Sequence, residues 1–485
     1  MAALPGLIRQ PYFRYYPTVD RIGLLDSGFL YLESPESPMH VAGLNLFRFP
    51  PRVHERTFMA RIDATYRTGD ELRKPFGHRV AHGMLGRFGP LYWEEDPDID
   101  LEYHVRHSAL PKPGRYRELF ALVSRLHATM LDRSRPLWEV HIIEGLRNRE
   151  FAVYTKLHHA TTDGVAGVRL TEASCSTDPD AVTDLSPLSI KVHERFKARR
   201  RQVHVVDFEP SESDLQVLAN FFKAQFDTSA HFLGVLRRYA ATWLGLGRGL
   251  AVPWRHIPHT MLNTEVSASR RFVAQSWSID RIHAVSAAAG VTINDIVLAM
   301  CSGALRRYLE EQDELPEHSL RALVPVSVRE KHDFDSPLAI SYIVADLGTR
   351  HEDPEDRLET IVESTRAGKE MLSDLTPREA GIYATLMQTP LFVASLIGVA
   401  DWFPPVSMVI SNVPGPSEQL YWTGAPLIGS YPASAVFHGI ALNITFVSYN
   451  GNLDFGIVAC RHTVPQVQRL IDYLEDSLAE LEEIV

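Results

Sequence analysis

The chain has 485 residues, more than one hydrophobic core usually organises, so its length predicts two or three domains. Hydrophobic residues make up 45% of it and charged residues 22%, a composition typical of globular proteins that excludes collagenous and disordered classes. With 49 basic against 60 acidic side chains, the formal net charge of −11 argues against a nucleic-acid-binding protein.

Neither the cysteines nor the apolar segments indicate a secreted or membrane-spanning protein. Cys175, Cys301 and Cys460 are too few and too scattered for a disulfide framework or a zinc knuckle, and they fit a reducing cytoplasm. Residues 1–21 form an N-terminal extension with prolines and arginines where a signal peptide needs an apolar run. The longest apolar stretch, "PLFVASLIGVA" at residues 390–400, is shorter than the roughly 20 residues that span a bilayer.

The first predicted domain covers residues 22–176 and mixes strands with helices. Its clearest element is a hairpin at residues 138–158, whose arms are rich in β-branched and aromatic residues and whose turn is the polar "RNRE". Along the second arm, odd-numbered residues share one face and even-numbered residues the other. His158 and His159 fall at the end of this arm and point to opposite sides, so only one of them can face a given cleft.

Residues 177–269 are predicted to be a helical linker, and residues 270–485 a second α/β domain. Within the linker, residues 232–250 predict a helix that either lies on a lipid surface or bridges the domains, and the sequence leaves both open. In the second domain, "VTINDIVLAMCSGALRRYLEE" predicts a strand followed by a helix, with Asn294 and Asp295 as plausible caps. Both halves mix strands and helices, which suits two similar layered domains that face each other.

The segment "LHHATTDGV", residues 157–165, carries the candidate catalytic groups. The chain contains neither a GxSxG elbow nor a P-loop, and "GLGRG" lies in a helical stretch and does not follow a strand. A neutral imidazole with a pKa near ~6.5 can act as a general base when a hydrogen bond orients it and one nitrogen stays open. We therefore favour catalysis over a purely structural role for the two histidines. A metal site would need three or four converging ligands, which the sequence does not supply.

Two motif patterns overlap in this segment, and they assign the base differently. From His158 it matches HxxxxD, the signature of glycerolipid acyltransferases. From His159 it matches HHxxxDG, the signature of the CoA-dependent acyltransferase superfamily that includes chloramphenicol acetyltransferase. Both predict acyl transfer. Asp163 would brace the loop by pairing with an arginine, and Gly164 would let backbone and ligand approach closely.

Over nearly its whole length the chain resembles the bacterial wax ester synthase/diacylglycerol acyltransferase family. The resemblance rests on the order and spacing of short segments: "LLDSGFLYLES", "SPMHV", "RPLWEVHIIEGL", "HHATTDGVAGVRL", "TMLN", "SRRF", "TINDIVLAMCSGALRRYL", "LVPVSVR", "SNVPGP" and "LNITFVSYNGNLDFGI". It implies two chloramphenicol-acetyltransferase-like α/β domains that face each other across a tunnel and are joined by a partly helical linker. The N-terminal extension departs from the family pattern, and we expect it to pack on the domain.

The resemblance also implies roles for the motif residues. His159 would be the general base, His158 and Asp163 would keep the loop in shape, and Gly164 would keep the acyl-CoA path open. Asn294, at the head of a helix, is a candidate donor to the developing oxyanion, and an N-cap or fold-bracing role suits it equally well. No metal is expected, and no cofactor, because acyl-CoA is a substrate. Direct attack of the acceptor on the thioester requires no covalent intermediate.

The expected reaction moves a long acyl group from acyl-CoA to a long-chain fatty alcohol, making a wax ester, and to diacylglycerol. Two alternatives stay open: an acyltransferase with another acceptor, and a non-catalytic lipid-droplet-binding protein, which would have no need of an intact motif. From its motif position, Arg329 is a candidate partner for Asp163. Apolar acceptors predict a cytoplasmic protein in peripheral contact with the inner membrane face or lipid droplets, and no nucleic-acid partner.

Overall fold

The computed structural model describes residues 20–67, 71–83, 89–162, 164–201, 230–244, 250–327, 340–373 and 404–484, with residues 375, 379, 380, 383 and 402. Asp163 and Arg329 therefore lie outside the described residues, as do "GLGRG", "PLFVASLIGVA" and nearly all of the N-terminal extension.

The described elements alternate between strands and helices along the chain. The strands are β1 (Asp20–Arg21), β2 (His40–Arg48), β3 (His78–His82), β4 (Leu91–Glu95), β5 (Val105–Ala109), β6 (Trp138–Glu144), β7 (Glu150–His158), β8 (Arg270–Ser278), β9 (Arg321–Ser327), β10 (Ile340–Asp346), β11 (Met408–Val413), β12 (Tyr421–Trp422), β13 (Ala425–Ala433), β14 (Leu442–Tyr449) and β15 (Asn452–Cys460). The helices are α1 (Leu24–Leu32), α2 (Glu55–Arg67), α3 (Leu101–His104), α4 (Tyr116–Ala128), α5 (Gly164–Ser174), α6 (Ile190–Arg201), α7 (Ala230–Trp243), α8 (Ile279–Ala289), α9 (Ile293–Glu311), α10 (Pro354–Ser373) and α11 (Arg469–Glu483).

The first large sheet contains strands from both halves of the chain. Its six strands run in the order β12-β13-β2-β7-β6-β5, and the predicted hairpin is β6 and β7. Strand β2 pairs antiparallel with β7, which sets His40 opposite His158. On its other side β2 pairs with β13, so Ala42 lies opposite Ala433. Without β13, the long apolar strand β2 would be an open sheet edge, and pairing with β13 covers it.

The second large sheet is built from residues that follow the linker, in the order β10-β9-β11-β14-β15-β8. Strand β11 runs parallel to both β9 and β14, and the other pairs are antiparallel. Helices α9, α10 and α11 bury their apolar faces with one face of this sheet in the largest core cluster. The predicted mixed α/β architecture of two facing sheets is present. The predicted domain borders did not anticipate that β12 and β13 would join the first sheet.

At the start of helix α9 the structure confirms a capping role for Asp295 but not for Asn294. Thr292 is the N-cap, and its hydroxyl accepts a hydrogen bond from the backbone N–H of Asp295. The Asp295 carboxylate reaches back to the N–H and hydroxyl of Thr292, which completes a capping box. Its other oxygen accepts from the Thr365 hydroxyl at 2.8 Å. Asp295 therefore fastens α9 to α10, and Asn294 occupies the first helical turn.

Helix α7, in the linker, packs on the largest core cluster, which lies against the second sheet. Val235 is buried there, with Leu236 and Tyr239 partly buried beside it. The Arg255 guanidinium donates to the carbonyls of the last residues of α7, at 2.5 and 2.6 Å. The body of this helix is therefore packed against the core of the second sheet, whereas its C-terminal Trp243 is half exposed.

Among the described residues, no single helix is long and apolar enough to cross a membrane. The helices α8 and α9 meet that length and composition only as a pair, with a 102° bend between them.

Candidate active site

A cavity of about 390 Å³ lies between the two sheets and surrounds helix α5. On one side its wall consists of inward-facing residues of the first sheet: Val41, Gly43, Asn45, Phe47, Val153, Thr155 and Leu157. On the other side it consists of residues of the second sheet: Leu323, Pro325, Val409, Ser411, Val413, Asn443, Thr445 and Val447. The part of the cavity between α5 and the first sheet is here called the first-sheet arm, and the part between α5 and the second sheet the second-sheet arm.

His159 lies on the cavity wall directly after the last residue of β7. Its backbone N–H donates to the carbonyl of Met39 at 2.9 Å, which extends the β2–β7 pairing by one residue. Its ring stacks on Phe29, with centroids 4.1 Å apart and planes 13° from parallel. Helix α5 begins at Gly164, five residues later, so His159 lies on the wall close in sequence to the N-terminus of the helix that separates the two arms.

His158 points the opposite way and is fully buried. Its Nδ1 accepts a hydrogen bond from the backbone N–H of Ala160 at 3.0 Å, so the ring proton belongs on Nε2. Nε2 faces the Glu33 carboxylate, with Oε1 3.5 Å away. Nδ1 of His158 is therefore hydrogen-bonded inside the protein and Nε2 points at Glu33 without a close hydrogen bond, so the ring braces the turn that carries His159.

Glu33 is a site residue that the sequence analysis missed. Burial by itself would raise the pKa of this carboxyl, but the His158 imidazole, the Met39 N–H and the Arg133 guanidinium together hold the pKa below its usual value. Met39 donates at 3.0 Å and Arg133 Nε at 3.0 Å. Glu33 lies in "LLDSGFLYLES", one of the matched segments, but its pairing with a residue of a distant strand is a tertiary contact.

The face of β7 that points away from the cavity carries a buried polar layer. Lys156 is fully buried, and its ammonium lies 3.0 Å from Glu139 Oε2. Burial lowers the pKa of Lys156 and would raise that of Glu139, but hydrogen bonds from His141 and Lys156 bring the pKa of Glu139 to about 2. Burial also lowers the pKa of His127 to about 3, and its Nδ1 bonds the Tyr154 hydroxyl at 2.8 Å. The layer therefore combines an ion pair with neutral imidazoles.

The other predicted site residues are not all brought together. Gly164 lies on the cavity wall as the first residue of α5, and a Cβ there would approach Val413 Cγ2 to 3.3 Å. Asn294 is not among the described residues that line the cavity. The roles given to Asp163 and Arg329 stay predictions.

Two polar segments of the second sheet also reach the cavity. The "SNVPGP" segment lines it through residues 411–414, whereas Gly415 faces strand β14, where a Cβ would come within 2.3 Å of the Ser448 carbonyl. That glycine is required by packing between strands. Asn443 is a wall residue that the sequence analysis did not name, and its Oδ1 accepts from the Thr445 hydroxyl at 2.7 Å. Among the described residues, no group of three or more histidine, cysteine or acidic side chains could hold a metal ion.

This fold, with His159 and Gly164 on the wall of a cavity between the two sheets, is that of the acyltransferase and condensation-domain class. The starter condensation domain of rhizomide synthetase, at 12% identity, has the same fold with a TM-score of 0.55 over 96% of this chain and 94% of that one. The wax ester synthase/diacylglycerol acyltransferase from Marinobacter aquaeolei VT8 is more similar, with a TM-score of 0.74 and 36% identity over 96% of this chain and 99% of that one.

Sequence comparisons agree. Residues 22–297 match the family model of the wax ester synthase/diacylglycerol acyltransferase catalytic domain, and residues 339–482 match that of the WS/DGAT C-terminal domain. A probable diacylglycerol O-acyltransferase of Mycobacterium tuberculosis is 43% identical over 95% of this chain and 98% of its own length. The O-acyltransferase WSD of Acinetobacter baylyi is 38% identical over 95% and 96%. The chain belongs to the wax ester synthase/diacylglycerol acyltransferase family and is an acyltransferase, so the predicted family, fold class and enzyme class are confirmed.

Proposed function

We propose that this chain transfers a long acyl group from acyl-CoA to the hydroxyl of a long-chain alcohol, and also to that of diacylglycerol, with His159 as the general base. His159 removes the proton from the acceptor hydroxyl, and the alkoxide attacks the thioester carbonyl. As the tetrahedral intermediate collapses, the C–S bond breaks and the imidazolium returns the proton to the CoA thiolate. No covalent enzyme intermediate is needed.

One observation carries this proposal: the two adjacent histidines have different surroundings. His158 has one ring nitrogen bonded to Ala160 and the other facing Glu33, both away from the cavity. His159 lies on the cavity wall, five residues before the N-terminus of α5. A general base must reach the proton it abstracts, and of the two rings only that of His159 lies where an acceptor hydroxyl can approach. The two arms suit two apolar chains that meet head to head.

The test measures release of the CoA thiol from palmitoyl-CoA with hexadecanol, with diacylglycerol or with no acceptor. We expect acceptor-dependent release that falls by about 10²–10⁴-fold in His159→Ala, the usual worth of a general base. The matched variant His158→Ala should keep measurable transfer, with lower stability because the turn loses its brace. Undiminished transfer in a folded His159→Ala protein would refute the proposed base. Equal release without acceptor would indicate a thioesterase, and no release would favour lipid binding alone.

We also propose peripheral contact with a lipid surface near the C-terminal end of α7. Trp243, Leu244 and Trp402 are 51%, 67% and 73% exposed, which is unusual for such large apolar side chains. The Trp254 N–H bonds the Pro405 carbonyl at 3.0 Å, and Arg255 bonds the Trp243 carbonyl, which ties these segments together. Amphipathic tryptophan rings favour the membrane–water interface.

Cosedimentation with phosphatidylcholine vesicles tests this contact. The double variant Trp243→Ser/Trp402→Ser should lose most of its vesicle-bound fraction. Tyr116→Ser removes an exposed aromatic ring from another part of the surface and serves as the matched control. Equal sedimentation of the double variant and the wild type would place the contact elsewhere.

A further inference from the structure

Two glycines in the first-sheet arm leave space that any other residue would fill. Gly43 on β2 and Gly167 on α5 both belong to the cavity wall. A Cβ built on either would have no heavy atom of the described residues within 4 Å, apart from its own chain neighbours and helix backbone. Neither has a positive φ, so no backbone requirement explains a glycine there. Glycine within a strand or helix is ordinarily unfavourable, so the space itself invites a functional explanation.

The contact between β2 and α5 indicates that the two glycines face each other across the arm. Asn45 Nδ2 donates to Thr171 Oγ1 at 2.9 Å, which fixes the level at which β2 and α5 face each other. Gly43 precedes Asn45 by two strand residues, about 6.6 Å. Gly167 precedes Thr171 by four residues on the same helix face, about 6 Å. Both displacements lead toward His159, so the glycines form one layer between His159 and the Asn45–Thr171 contact.

Strand geometry gives the length of alkyl chain that would extend from His159 to the two glycines. His159 bonds Met39 across the β2–β7 pair, and Gly43 lies four residues further along β2, about 13 Å at about 3.3 Å per residue. Phe47 lies about 26 Å along, in the buried cluster with Tyr66 and Trp422. An extended alkyl chain advances about 1.25 Å per carbon, given C–C bonds of about 1.5 Å. A chain of about ten carbons thus reaches the glycines, and one of about twenty reaches the aromatic end.

The walls of the arm are held at a fixed spacing. Besides the bond from Asn45 to Thr171, the Ser430 hydroxyl donates to Asn45 Oδ1 at 2.9 Å. The Ser430 N–H in turn donates to the buried Asp454 of β15 at 2.7 Å. Strand, helix and second sheet are tied together at this level. A side chain added at the glycine layer would therefore occupy the arm, because the helix cannot easily move away.

We propose that the first-sheet arm measures the alkyl chain of one substrate and that the facing pair Gly43 and Gly167 keeps it open to long chains. The proposal rests on the proposed acyl transfer. Its ligand is a saturated long alkyl chain, which either the acyl donor or the alcohol can supply. The arm discriminates by length because a filled layer excludes every carbon beyond it, whereas a short chain never reaches that layer.

The test crosses two donors, octanoyl-CoA and palmitoyl-CoA, with two acceptors, octanol and hexadecanol, for the wild type and Gly43→Leu. We expect kcat/KM to fall at least about tenfold whenever the long form of one substrate is used, and to stay within about twofold for its short form. The substrate whose length matters, donor or acceptor, is the one that occupies the arm. Gly167→Leu, from the opposite wall, should give the same profile. Gly234→Leu makes the same change at an exposed helix position with open space and should change nothing.

A binding measurement separates this inference from the reaction itself. By calorimetry, we expect Gly43→Leu to lose palmitate binding and keep octanoate binding. A wild type that binds palmitate but transfers nothing would refute the proposed function and leave the arm in place. A folded Gly43→Leu protein with the wild-type length profile and palmitate affinity would overturn the inference. An equal loss for long and short chains would overturn it as well.

Discussion

The two faces of strand β7 are built for opposite purposes. Toward the cavity it presents Val153, Thr155 and Leu157, an almost wholly apolar wall. Away from the cavity it presents Lys156 and His158, each fully buried among charged or polar partners. The wall that β7 gives the cavity carries no charged side chain, and the ions and imidazoles that hold the histidine turn lie behind the sheet. Breaking either face should therefore give a different kind of damage.

The largest effect is expected from the ion pair behind the sheet. Lys156→Met leaves the buried Glu139 carboxylate without its ammonium and should lower the free energy of unfolding by about 3–5 kcal/mol. Urea unfolding measures it. Lys112→Met, at an exposed position, should stay within about 0.5 kcal/mol of the wild type. If both variants unfold at the same urea concentration, the pair does not stabilise this face.

Acid should weaken the same layer. The pKa of Glu139 is about 2 in the folded protein, below its ordinary value of 4.5, so the unfolded chain takes up this proton first as the pH falls. The stability it contributes is complete above about pH 4.5 and is lost as the pH falls toward 2, by about 3 kcal/mol. Between those two pH values, the free energy of unfolding of Glu139→Gln should change less with pH than that of the wild type. If the free energy of unfolding depends on pH equally in the variant and the wild type, this carboxyl has an ordinary pKa.

A smaller effect, on activity, is expected from Glu33, the carboxylate behind the sheet that contacts His158. Glu33→Gln removes the ion pair with Arg133 and weakens the interaction with His158. The turn that carries His159 should then be held less firmly in position. We expect kcat to fall about tenfold with little change in KM, because misplacement acts on the chemical step. The exposed neighbour Glu36→Gln serves as the control. A rise in KM alone would show that Glu33 acts on substrate binding.

The smallest effect concerns the cavity face. Phe29→Leu removes the ring that stacks on His159 and should lower kcat/KM about threefold, since such pairs are worth about 0.5–1.5 kcal/mol. Phe29→Tyr keeps the ring and should retain wild-type activity. Equal losses in both variants would show that the size of the side chain matters and not the stacking.

Sequence patterns predicted the parts of the site that depend on local periodicity. The alternation along residues 151–158 correctly separated the sides of His158 and His159, because strand geometry alone decides it. The motif and the order of matched segments correctly indicated the family. Glu33 was missed because its partner His158 is distant in sequence, and no local pattern records such a pair. Asn294 was proposed as an oxyanion donor from its place at a helix head, yet the described cavity wall does not include it.

The arrangement of the two glycines also could not be predicted from local sequence patterns. Gly43 and Gly167 are unremarkable in sequence, and only the pairing of β2 with β7 and the Asn45–Thr171 bond indicate that they belong to one layer of the cavity wall. Long-range sheet order was equally hidden. Nothing in residues 421–433 indicates that they join the first sheet and not the second, because both sheets offer apolar edges.

The pairing of β13 with β2 also constrains how the protein is made. On a ribosome the first sheet cannot close until residues 425–433 emerge, so a nascent chain must hold β2 as an open, apolar edge through most of its synthesis. Contacts that span nearly four hundred residues fold slowly. A fragment that ends at residue 297, although it carries the whole histidine motif, should therefore be insoluble by itself and recover only when residues 298–485 are supplied.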